Sequence, residues 1–166
     1  MTHTLRAWAV LADAERSRSM WESLDDGETA DGRVLYAATL ALLRAVGHVL
    51  QNVDGANPTS AKAVAAAYSA LKTERASNAI YWDFITSERH AVLKEYRFGA
   101  EQIVGLELAY VDAAGVSRVD RVPFSLYLLD EGPFAGEDAR DVAEQAIAFW
   151  EHHLADIELA CLRGGA

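Results

Sequence analysis

Cysteine is nearly absent from this chain, Cys161 being the only one. That excludes an internal disulfide framework and any cysteine-based zinc cluster, and a lone thiol suits a reducing compartment. Long apolar runs are missing as well. The longest, "VLYAATLALL", falls well short of a membrane span and is closed by Arg44. The apolar part of "LRAWAVLADAER" is too short for a secretory signal, and charges interrupt it at both ends. These absences give the expectation of a soluble, cytoplasmic protein with no membrane segment. There is no phosphate-binding glycine loop, serine nucleophile elbow or dinucleotide fingerprint. Internal repeats and low-complexity tracts are also lacking.

Basic residues are scarce. Fifteen Lys and Arg stand against 25 Asp and Glu, for a formal charge of -10, which argues against broad attraction to nucleic acid. The deficit is uneven. Residues 101–166 hold four basic against thirteen acidic groups, whereas residues 61–100 hold six against four and are the only net-positive segment. The acidic last third suits a protein partner with a basic surface.

What is present is half apolar and long enough to bury one substantial core, so residues 1–166 read as a single domain. Apolar periodicity predicts helices over about 5–24 and 33–52. The second is apolar on nearly every side through Leu43, as a helix in the middle of a bundle would be. A third helical region, about 60–96, carries the polar interruption "KTERASN", which predicts a kink or break near 73–78. The pattern then changes to alternation, in "VGLELAYVD" and "VSRVDRVPFSLYLLD", and predicts a β-hairpin over about 104–130. Pro123 cannot donate to a ladder and should mark an edge or bulge. A last helix, about 138–162, has Ile147, Trp150, Leu154, Ile157 and Cys161 as its stripe. The expected class is α+β, predominantly α: a four- to five-helix bundle with one hairpin before the C-terminal helix.

Two stretches place charge where a core is expected. In "LLRAVGHVLQNVDG", Arg44, His48 and Gln51 share one helical face. Gly47 beside them costs roughly 1 kcal/mol relative to alanine, a cost usually tolerated for close approach of another element. In "FITSERHAVLKEYRFG", Arg89 lies on the apolar stripe of Trp82, Ile85, Val92, Leu93 and Tyr96, while Glu88 points about 100° away. An unpaired buried arginine is very costly, so a pairing of Arg44 with Glu88 is expected, with Arg89 reaching Asp83 or a chain terminus. Such a network would fix helix register. The same groups, Arg44, His48, Arg89 and His90, could instead serve as a catalytic site, with histidine moving a proton and arginine stabilising phosphorane charge. His152 and Asp156 in "EHHLAD" are four apart, as helical metal ligands can be. No cofactor is expected, and Trp8, Trp21, Trp82 and Trp150 read as core.

"LLRAVGHVLQNVD" and "FITSERHAVLKEY" together resemble small bacterial proteins similar in layout to the HEPN superfamily of helical bundles, over residues 30–98. The resemblance implies a homodimer, and either association without chemistry or a metal-independent ribonuclease in a defence or toxin–antitoxin setting. The family signature separates arginine from histidine by about four to six residues. Here Arg44 and His48 have three between them, and Arg89 and His90 are adjacent. The leading expectation is therefore protein–protein association. Its alternative is a ribonuclease using those four residues on RNA, and a histidine-bound metal site stands below both.

Overall fold

The computed structural model describes residues 4–24 and 29–164. The protein is mainly helical α+β. α1 (Ala7–Glu22) and α2 (Thr29–Asn52) pack side by side, and α5 (Ala139–Gly164) lies against both. α3 (Ala61–Thr73) follows a short 3₁₀ turn, Asp54–Ala56. A second 3₁₀ turn, Arg75–Asn78, leads into an irregular helix, here α4, made of a π segment (Ile80–Thr86), one α turn (Ser87–His90) and another π segment (Ala91–Glu95). The antiparallel strands β1 (Ala100–Val111) and β2 (Ser117–Leu129) form a two-stranded ribbon before α5.

The core follows the apolar stripes. Leu11, Ala14 and Trp21 of α1 meet Tyr36, Leu40, Leu43 and Val46 of α2, and Val142, Ala146, Trp150 and Leu154 of α5 close over them. Trp21 and Trp150 are fully buried, while Trp8 and Trp82 pack partly buried at the margin. α2 is not enclosed on every side, since Val34 faces solvent. The stretch Ala30–Ala56 is long and apolar enough to cross a membrane by length and composition, a test that core helices of soluble proteins also pass. Here the buried face of that helix belongs to the bundle.

Helix ends are tied down by distant side chains. Asp54, buried in the turn after α2, accepts the Arg6 and Ala7 N–H groups at 2.8 and 3.0 Å, and so caps α1 from outside it. The break after α3 is held by Trp82, whose indole N–H donates to the Leu71 carbonyl at 3.1 Å, and by Asn78, whose amide donates to the Glu74 carbonyl. At the other end of the ribbon, Asp138 caps α5 by accepting the Arg140 N–H at 2.9 Å and pairs with the Arg140 guanidinium at 2.7 Å. That guanidinium also donates to the Ser125 carbonyl and lies 5.2 Å from the Tyr127 ring, fastening β2 to α5.

The ribbon is longer than the sequence pattern suggests, since β1 begins at Ala100. Its register runs from Ala100 opposite Leu129 to Val111 opposite Ser117, with a shift between Val104 and Leu106. There Gly105, at φ 74°, opposes Pro123 and Phe124. Proline thus occupies a bulge, where its missing N–H costs no ladder bond.

Candidate functional site

The polar groups singled out in the sequence separate into two environments. Arg44 and His48 stand one turn apart on α2. The Arg44 guanidinium lies 5.6 Å from the centre of the Tyr81 ring on α4, a cation–π contact. Gly47 permits this arrangement. A Cβ there would sit 3.1 Å from the Trp150 ring and 3.3 Å from Arg44 Nη1, and the Trp150 indole N–H donates to the Leu43 carbonyl at 2.9 Å. The glycine therefore lets α5 close onto α2 beside the arginine.

The expected pairing of Arg44 with Glu88 is not formed. Glu88 instead accepts a hydrogen bond from the Tyr36 hydroxyl at 2.9 Å, and Gly99 lies directly against its carboxylate. Burial raises the Glu88 carboxyl above its ordinary range, outweighing the hydrogen bond from Tyr36. Burial and the Glu88 charge in turn raise the Tyr36 hydroxyl. Arg44 Nη1 is buried without a hydrogen-bond partner. Arg89 makes no ion pair with Asp83, which is exposed. The chain termini proposed as its partner lie outside the described residues.

Arg44 and Arg89 are both close enough to His48 to act on it. Loss of hydration first, then Arg44, then Arg89, lowers the pKa of the exposed His48 imidazole. The imidazole is therefore neutral near pH 7 and able to accept a proton. His90 does not join this group. It is exposed, and its nearest acidic partner is Glu95 at 3.9 Å.

No metal cluster emerges. Among the described residues, no group of three or more His, Cys, Asp or Glu side chains is placed to hold an ion. His152 contacts the Ala148 carbonyl of its own helix at 2.6 Å. The partly buried neighbour His153 was not singled out in the sequence. It stacks on Phe149 with ring centres 5.5 Å apart and has its pKa lowered by burial. Spacing could have found it, because His153 falls three residues after Trp150 on the α5 stripe.

Compared with known proteins, the chain matches no family model, no curated protein and no solved structure.

Proposed function

We propose that the protein acts by association, pairing with a second copy of itself through the ribbon. The observation that carries this reading is the state of the ribbon's outer half. Val111, Val116 and Val119 are 66%, 53% and 63% exposed, with Leu108 and Tyr110 also open. β1 packs chiefly on β2, and the main attachment to the bundle is between β2 and α5. A two-stranded ribbon is marginal in water unless a further strand or surface joins it. The bulge at Pro123 blunts the β2 edge, leaving β1 as the edge able to accept a neighbour.

A two-fold antiparallel pairing of β1 with its copy, centred on Leu108, would set Glu107 opposite Ala109. No like charges would then oppose one another across the seam. The wild type is expected to run as a dimer in light scattering coupled to size exclusion. Leu108→Lys would place two ammonium groups together at the centre and should yield a monomer with an unchanged far-UV spectrum. A wild-type monomer at high micromolar concentration would overturn the reading. A basic protein partner for the acidic last third would have to be sought separately.

A second reading rests on the unpaired arginines. Arg44 and Arg89 carry no carboxylate partner among the described residues, and both act on an exposed histidine. Two cations beside a neutral imidazole are what a metal-independent ribonuclease would need. Under this reading, an RNA pool in EDTA is cleaved by wild type and spared by His48→Ala and Arg44→Lys. Absence of wild-type cleavage would end it.

A further inference from the structure

At the root of the ribbon one carboxyl joins three parts of the chain. Glu88, half-buried on α4, accepts a hydrogen bond from the Tyr36 hydroxyl of α2 at 2.9 Å. Its carboxylate also lies against Gly99, just ahead of β1, where a Cβ would collide with Glu88 Oε2. The Gly99 carbonyl in turn accepts the N–H of Asp130, just past β2, at 3.0 Å. Both ends of the ribbon therefore meet beside the Glu88 carboxylate. The chain enters this joint through Tyr96, at φ 53°, a left-handed backbone that a tyrosine adopts only where its surroundings hold it.

Charge sets this joint apart. From α2 the carboxyl faces the Tyr36 hydroxyl, from the link after α4 it faces Arg97, and from the segment after β2 it faces Asp130 and Glu131. Arg97 is the one cation of these. It is exposed, and it pairs with Glu131 and with Glu95 on α4. Glu95 also meets His90, at 3.9 Å. Glu88 itself forms no ion pair with any described residue. An ionised carboxylate here is partly stripped of water and has two like charges for neighbours, which costs free energy. Glutamine has the same shape, could accept the same bond from Tyr36, and would carry no charge into the joint. Burial above all, with Asp130 and Glu131, raises the carboxyl above its ordinary 4.5, against the opposing pull of Tyr36 and Arg97. The closed joint therefore takes up a proton more readily than the open one. The stability so gained is complete below pH 4.5 and is lost as pH rises through the higher folded value.

We infer that Glu88 is a proton-operated latch on the ribbon root: protonated, it holds Gly99 and Asp130 closed on α2 and α4, and ionised, it lets them open more readily. The latch lies within one chain and does not rest on ribbon pairing, so a Leu108→Lys monomer should show it equally. Carbon NMR of the Glu88 side-chain carboxyl, together with hydrogen exchange at the Asp130 amide, tests it between pH 4 and pH 8. The carboxyl should titrate above pH 4.5. Over that titration the protection of the Asp130 N–H, relative to its intrinsic exchange rate, should fall as pH rises. The fall should reach about tenfold for each pH unit by which the midpoint exceeds the ordinary value. Glu88→Gln should keep the amide protected at every pH. Tyr36→Phe removes a hydrogen bond that favours the carboxylate, and should move the Glu88 midpoint further up. A midpoint at or below the ordinary value would overturn the inference. So would Asp130 protection that ignores the titration, or a Glu88→Gln variant that keeps the wild-type pH dependence.

Discussion

In the bundle, Trp150 is fully buried, donates its indole N–H to the Leu43 carbonyl, and lies so close to Gly47 that a Cβ there would sit 3.1 Å from its ring. On the outer ribbon, Val119 pairs with Ala109 in the ladder yet remains 63% exposed. Both regions are built from regular hydrogen-bonded backbone and apolar side chains. They differ in whether the side chains have anything to pack against. Backbone ladders alone contribute little net stability, because water offers the same bonds. Burial supplies the rest. The inner stripes of the helices are covered within one chain, whereas Val111, Val116 and Val119 of the outer ribbon have little of the same chain against them.

The largest loss of stability is expected at Trp150. Trp150→Ala would open a cavity beside Gly47 and remove the second hydrogen bond to the Leu43 carbonyl, at a cost of about 3–5 kcal/mol. Urea unfolding midpoints would show it. A loss under about 2 kcal/mol would mean that this part of the bundle is nearly as loosely packed as the ribbon.

Much of the bundle was legible because its signals are local. Leu11, Ala14 and Trp21 recur at helical spacing, "KTERASN" interrupts the third region where the chain turns from α3 into α4, and the alternation from Val104 marks the strands apart from the first residues of β1. The cost of Gly47 also pointed to a close neighbour, which is α5. The polar site was less legible, for a geometric reason. Placing Glu88 toward Arg44 assumed 100° per residue along the whole third region. The segments Ile80–Thr86 and Ala91–Glu95 instead bond from residue i to i+5, which changes the angular advance per residue and shifts each side chain's direction. Glu88 consequently meets Tyr36 while Arg44 meets Tyr81. Nothing in single-residue propensity announces a π turn.

A smaller effect is expected inside the bundle. His153 is partly buried between Phe149 and Asp156, and burial lowers its pKa below the ordinary 6.5, with Asp156 partly opposing. The unfolded chain therefore binds the proton more readily than the folded one. Stability from this group is complete above pH 6.5 and is lost as pH falls toward the lowered folded value. His153→Phe keeps a ring on Phe149 and removes the proton site. Its midpoint relative to wild type should rise between pH 7.5 and pH 5, and parallel pH profiles would refute the assignment. His48, with the same direction of shift, would leave a residual slope in the variant.

The smallest effect on stability is expected at the ribbon's end, and there the two regions should part most clearly. Val119→Thr keeps β-branching, and therefore strand preference, while adding a hydroxyl that solvent can reach. In a side chain with so little to pack against, the change in monomer stability should stay within about 0.5 kcal/mol. The same substitution at a buried valine such as Val46 would put a hydroxyl among apolar core side chains and cost several times more. If Val119→Thr destabilises the dilute monomer as much as Val46→Thr does, the ribbon is already packed within one chain, and pairing with a second copy loses its physical basis. If it leaves the monomer unchanged but weakens the dimer, the exposed valine is stabilising only when a second chain covers it.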